Sequence, residues 1–349
     1  MITATPSARP GLAVLTGAIE LAIRAPSIHN TQPWRWRIHE NSGIGGLRLG
    51  SIDLFADRSR QLRIADPGGR ALLVSCGAAL YQAQLALRAA GWRSVVTRMP
   101  NPLNDDHLAT ILVTGRAPAT ADALRLAAAA RRRRTDRRPF ANRPVDPAII
   151  ECLRYVAEQQ RVFVHEVRRR EDRLILSVAA GRANEIEADD QAYGSELKHW
   201  SGRTDDSLDG IPISAVPDLP DRRCDVPLRD LPGTLRVPPA TQVERPLMLV
   251  IGTGGDSPLD RLVAGEAVGR ILLETTELGL SASPYTQPLE IPGPQYLMRR
   301  VVGGVGMPQI LLRIGWPGPG PEPRLTPRRP VSEVLGTAPA PYAGYSPTP

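Results

Sequence analysis

Alternation between apolar and polar positions is sharpest at Trp34–Ile38, where Trp34, Trp36 and Ile38 face one way and Arg35 and Arg37 the other. A period of two marks a half-buried β-strand. Upstream, Leu12, Leu15, Ile19 and Ala22 recur at helical spacing and predict a helix over Leu12–Arg24. Between the two lies A-P-S-I-H-N-T-Q-P, a polar turn joining two rigid elements. Such turns carry many ligand contacts. The same residues also suit a loop that spends its side chains on its own backbone.

Further along, Leu47–Asp57 reads as a strand region, and Asp66-Pro67 as the start of a helix running to about Ala90. Two short strands follow at Arg93–Met99 and His107–Val113. Thr120 opens a helix whose last turn holds Arg131–Arg134, an order that suits the helix dipole. Asp146-Pro147 starts another helix, Val162–Val167 a strand, and Asp172 to about Leu197 one long amphipathic helix. Leu247–Thr253 is a continuous apolar run, as in a strand buried on both faces. Ser257-Pro258 caps a helix that ends at Gly279, and Gln309–Gly315 is the last strand.

From Ser201 to Glu244 periodicity collapses into proline, glycine and charge. A stretch this long inside a compact chain is read as functional, such as a lid, or as disordered. Residues 1–10 and 336–349 read as flexible tails. The segments Gly77–Gly91 and Gly265–Gly279 have equal length and glycine at both ends, with Ala79 matching Ala267 and Leu85 matching Leu273. The chain is therefore read as α+β, built from two diverged halves that form an internal pseudo-dimer.

Composition changes this picture little. The 349 residues are 42% hydrophobic and 23% charged, enough for a sizeable core. No apolar run reaches 18 residues, so no membrane span is expected, and the first ten residues lack the pattern of a secretory signal. Cys76, Cys152 and Cys224 are scattered without C-x-x-C, which fits a reducing cytoplasm, and the five histidines suggest no metal site. The net charge of +7 is weak evidence for nucleic acid, because Lys198 is the only lysine and aromatics make up 4% of the chain.

R-R-R-R-T-D-R-R-P-F (Arg131–Phe140) admits three readings: a solvated helix end, a nucleic-acid patch, or a phosphate clamp. A second basic pair, Arg328-Arg329, stands alone in the proline-rich tail. No glycine run has dinucleotide spacing, no Walker lysine occurs, and no G-x-S-x-G elbow is present. The side chains offer no evident catalytic apparatus, which points to a cofactor as carrier of the chemistry.

A-P-S-I-H-N-T-Q-P-W resembles the flavin-binding turn of the nitroreductase superfamily, in particular its Acg-type branch of tandem halves. R-R-T-D-R-R-P-F resembles the start of a nitroreductase unit, and LGLSASPYTQPLEIPG, PQILLRIG and TPRRPVSEVL resemble that branch's second half. The resemblance covers about Leu12 to Leu335. It implies a nitroreductase-like fold with a first half at 11–120 and a second at 121–335, the latter carrying a lid insertion at 201–244. It also implies FMN. Pro26, Ser27, Ile28 and Asn30 would meet the ring and ribityl chain, Gln32 would support the turn, and Thr286 and Gln287 would lie by flavin N5. Arg134 and Arg138, with Arg328 and Arg329, would hold the phosphate.

Only the first half has the turn and only the second the arginine-rich start, so a single site is expected, assembled from both. The implied activity is that of a cytoplasmic NAD(P)H nitroreductase, with hydride passing to flavin N5 and then to a nitro- or quinone-type acceptor. The alternative is a non-catalytic protein that sequesters FMN beneath the 201–244 segment. A monomer is plausible, since an internal pseudo-dimer already supplies the interface, and neither nucleic acid nor membrane is expected as a partner.

Overall fold

The computed structural model describes residues 10–44, 47–219, 224–238 and 243–336. The expected tails, except Pro10 and Gly336, and two stretches of the expected insertion lie outside them. The first half of the chain gives α1 (Leu12–Ala22), β1 (Trp34–Ile44), β2 (Leu47–Ala56), α2 (Arg70–Ala89), β3 (Trp92–Arg98) and β4 (His107–Arg116). Then come α3 (Ala121–Arg132), α4 (Pro147–Glu158), β5 (Phe163–Glu166), α5 (Arg170–Asp189) and α6 (Gln191–Trp200). The chain continues through β6 (Leu247–Thr253), α7 (Pro258–Glu277), β7 (Ser281–Tyr285), α8 (Gln287–Glu290), α9 (Pro292–Val301), β8 (Met307–Gly315) and α10 (Val331–Val334).

Two four-stranded antiparallel sheets result, in the orders β1-β2-β4-β3 and β5-β6-β8-β7. Each is one strand pair, a twenty-residue helix and a second strand pair. The same topology thus occurs twice. Trp34 and Trp36 pair with Ala56 and Leu54 and are fully buried beneath α1 and α2, while Arg35 and Arg37 face outward. In β6, Leu249 and Ile251 meet α4 and α7, whereas Met248 and Val250 meet α5, α8 and α9. Burial on both faces is what makes that strand a continuous apolar run.

The sheets are joined through α2 and α7, which cross at the glycines that match in sequence. A Cβ on Gly77 would lie 2.0 Å from the Leu262 carbonyl oxygen, and one on Gly265 2.1 Å from that of Val74. Only residues without a side chain allow that approach. The C-terminal arm then returns to the first half: Leu335 bridges to Trp36, and Val334 is fully buried in the first core. Among the described residues, no helix is long and apolar enough to cross a membrane.

Three local expectations need correction. The long helix is two, because Asp190 turns extended and its carboxylate accepts from the amides of Ala192 and Tyr193, starting α6. Asp66 does not begin α2. Gly69, at φ +64°, sets the start at Arg70, and Asp66 reaches forward to the amides of Ala71 and Leu72. The strand β7 and helices α8 and α9 add to the expected elements, since they leave no clear period in the sequence.

Candidate functional site

The turn between α1 and β1 is held under strain. His29, Asn30 and Gln32 adopt φ of +45°, +56° and +51°, a region that costs non-glycine residues roughly 1–2 kcal/mol each. Strain of this kind persists only where the surroundings over-determine it. Here the Asn30 amide donates to the carbonyls of Gly210 (3.0 Å) and Pro327 (3.2 Å). The Gln32 amide donates to Leu208 (2.8 Å), and its oxygen accepts from the Arg329 amide (2.9 Å). Ser27 Oγ accepts from the Gln32 amide at 3.0 Å. The segment after α6, the turn and the C-terminal arm therefore fix one another.

Beside the turn lies a cavity of about 600 Å³, within the range of roughly 300–1,000 Å³ usual for small-molecule sites. Pro26, Ser27, Ile28, His29 and Asn30 form one part of its wall, and the start of α2 another. The second half contributes Thr135, Arg137, Thr286, Gln287 and Arg328. Ile211, Val216, Pro217 and Leu228–Leu231, between α6 and β6, add to it.

The expected site residues divide accordingly. Pro26, Ser27, Ile28, Asn30, Thr286, Gln287 and Arg328 line the cavity; Gln32 stands behind the turn. Arg134, Arg138 and Arg329 are not on the wall, although Arg134 lines a small cleft together with Arg133 and Arg328. Arg134 pairs with Glu322 at 2.9 Å, and Arg329 turns to Glu333. Arg138 is buried against Asp136 at 2.7 Å and donates to the carbonyls of Gly320 and Pro321. Neighbouring Arg137 takes the cavity side instead.

The remaining arginines make the site electropositive. Arg328 is half-buried and, among the described residues, donates to backbone carbonyls, including those of Thr326 (2.9 Å), Pro327 (3.0 Å) and Ala25 (3.2 Å). Burial, reinforced by Arg133 and Arg24, lowers its pKa to about 9. Arg133 shares a small cleft with Arg328, is 6% exposed, and is lowered to about 10 by burial and by Arg134. Neither has a carboxylate partner among the described residues. Burial also brings Arg137 to about 10 despite Asp136, with Arg229 and Arg313 adding to the effect.

On another part of the wall, Arg229 joins Glu187 (3.3 Å) and Glu290 (2.5 Å) and donates to His29 Nε2 at 3.0 Å. Burial and this cation hold the imidazole well below its ordinary pKa, so His29 is neutral with its proton on Nδ1. His29 Nδ1, Asn30 Oδ1 and Gln287 Oε1 are buried with no partner among the described residues. The sequence reading missed Thr135, Arg133, Arg137, His29 and Arg229. The first four stand inside motifs already singled out, whereas Arg229 gives no signal.

No family model matches the chain. A Mycobacterium tuberculosis (strain H37Rv) protein named "Putative NAD(P)H nitroreductase" is 39% identical over 345 residues, covering 96% of this chain and 93% of its own. Another from the same organism, "Putative NAD(P)H nitroreductase acg", is 33% identical over 331 residues, covering 92% and 95%. Among solved structures, that of a "putative nitroreductase" from Anabaena variabilis matches 88% of both chains with a TM-score of 0.50 at 10% identity.

Proposed function

The chain belongs to the family of NAD(P)H nitroreductase-like proteins that includes Acg, and on that footing we propose that it is an FMN-binding oxidoreductase. Bound FMN would supply the redox chemistry, accepting hydride from NAD(P)H at N5 and passing it to a nitro- or quinone-type acceptor.

The observation that carries this reading is the pair Arg133, buried, and Arg328, half-buried, which line one small cleft, each with a buried Nε that lacks a partner and with no carboxylate partner among the described residues. An unpaired buried cation costs several kcal/mol, on the order of 3–5 when its partner is lacking. A phosphate dianion satisfies guanidinium forks bidentately. Arg137 adds a further cation on the cavity wall. Asn30 Oδ1 and Gln287 Oε1 are acceptors in want of a donor, and His29 Nδ1 is a donor in want of an acceptor. A heteroaromatic ring with N–H and C=O groups and a polyhydroxyl chain meets both needs. Arg134 lines the same small cleft as Arg133 and Arg328, while Arg138 and Arg329 act at one remove: Arg138 braces the segment that presents Arg137, and the Arg329 amide secures Gln32.

The test is cofactor retention. Purified protein should be yellow and release FMN on denaturation, and anaerobic NADPH or NADH should bleach it. Arg328→Met should lose FMN, because a guanidinium that faces the cleft is gone. A colourless protein that cannot be reconstituted removes the flavin reading, and so does Arg328→Met protein that retains FMN undiminished.

A second reading, sequestration without turnover, is favoured by the way the insertion is tied down. Leu208 and Gly210 are bonded to the turn, and Arg229 is locked between two carboxylates. Flavin that stays oxidised with NADPH in the intact protein, and bleaches once Arg229→Ala loosens the insertion, supports this reading. Bleaching of the intact protein excludes it.

A further inference from the structure

The cavity carries a second basic group that the flavin reading leaves unused. Arg70, the first residue of α2, and Arg261 of α7 both line the wall. They grip one carboxylate, Asp256: Arg70 through Nη1 (2.7 Å) and Nη2 (2.5 Å), Arg261 through Nε (3.1 Å) and Nη2 (3.2 Å). Gln309 Nε2 adds a bond at 3.2 Å. Burial works against ionisation of Asp256, but the bonds from Arg261 and Arg70 hold its pKa at about 2, so the carboxylate is permanently charged.

Asp256 is not on the cavity wall, whereas both arginines are. Against Asp256 alone the two guanidiniums leave one positive charge; Asp66, the carboxylate on the wall beside Arg70, is bonded to the amides at the start of α2. Tying α2 to α7 needs only one arginine per carboxylate; the second is excess for that purpose. Arg70 Nε has no partner among the described residues, and the two side chains are 15% and 19% exposed. Neither Arg70 nor Arg261 lines the small cleft that holds Arg133 and Arg328.

We propose that Arg70 and Arg261, backed by Asp256, form an anion subsite for a second ligand sharing the cavity. The chemistry is that of a phosphate or carboxylate. It belongs either to a nicotinamide nucleotide or to an acidic acceptor. The inference rests on the flavin reading only in taking FMN as the first ligand.

Isothermal titration tests it without turnover. FMN-loaded protein is titrated with NADP⁺ and with 4-nitrobenzoate, and FMN-free protein, both wild type and Arg328→Met, with inorganic pyrophosphate, so that binding in the Arg133–Arg328 cleft is told apart. Arg261→Gln should weaken binding roughly tenfold, the loss expected for one charge-assisted hydrogen bond. Arg261→Lys should restore part of it, and raised salt should narrow the gap between wild type and variant. Loss confined to NADP⁺ and pyrophosphate identifies a nucleotide phosphate; loss confined to nitrobenzoate identifies the acceptor's carboxylate. Unchanged affinity for all three overturns the subsite. Arg70→Lys is the parallel variant should Arg261→Gln not fold, and each outcome carries the same meaning there. FMN retention is measured alongside: failure of the wild type to hold FMN counts against the flavin reading, while the pyrophosphate arm still decides the subsite.

Discussion

Asp66 is a carboxylic acid set where water scarcely reaches, 5% exposed beside the cavity. Its two oxygens accept the amides of Ala71 (3.1 Å) and Leu72 (2.8 Å), which favour the anion. Burial outweighs them and raises its pKa from 3.8 to about 6, with Glu290 adding slightly. Between those values the native state holds more protons than the unfolded chain. Stability therefore falls as pH rises from about 4 to about 6, by ~3 kcal/mol in all. Asp66→Asn should remove that slope, so that the variant gains on the wild type as pH climbs from 4 to 7. Thermal melts across that range provide the check; parallel curves would show that Asp66 does not titrate there. At this scale the sequence was legible where a residue type has one use, as with Ser27 and Asn30 in a polar turn. It was not legible for Arg137 and Arg138, since adjacent side chains in an extended segment point to opposite sides and only the packing of Asp136 decides which one faces the cavity.

Elements with a clean period were recovered almost to the residue. The strand Leu247–Thr253 and the Ser257-Pro258 cap stand where apolar spacing and capping chemistry put them. The split at Asp190 was hidden because the apolar stripe continues across it, and a carboxylate that starts a helix looks like one exposed on its flank. What period cannot show is how closely two helices approach. Gly77→Ala would place a methyl 2.0 Å from the Leu262 carbonyl, and Gly265→Ala one 2.1 Å from that of Val74. Either must force α2 and α7 apart, at a cost on the order of 1–3 kcal/mol or more. Both variants should melt lower and bind FMN less well, because α2 and α7 each supply part of the cavity wall. Gly279→Ala, where nothing lies within 4 Å but φ is +72°, should show only backbone strain and leave binding intact. A melt for Gly77→Ala equal to wild type would remove the crossing from the account.

Across the whole molecule the C-terminal arm is the longest-range tie. It carries Arg328 to the cavity, Arg329 to Gln32, and Val334 into the core under Trp36. Truncation after Pro330 leaves both arginines in the chain but removes the anchor that holds them. The shortened protein should melt lower and release FMN more readily, whereas truncation after Gly336 should change neither. Comparative melts and flavin release settle it, and equal behaviour of the two truncations would show the anchor to be dispensable. The paired glycines at the α2–α7 crossing have a different kind of consequence. In a symmetric assembly of two identical chains every substitution is felt twice, once on each side of the axis. Here each is felt once, so a change that harms one wall can be corrected on the other, and the two halves are free to drift in everything but the contact where they touch. Gly77 and Gly265 are therefore the positions at which inherited symmetry should persist longest, while the turn and the arginines, each kept in one copy, record how far the halves have parted.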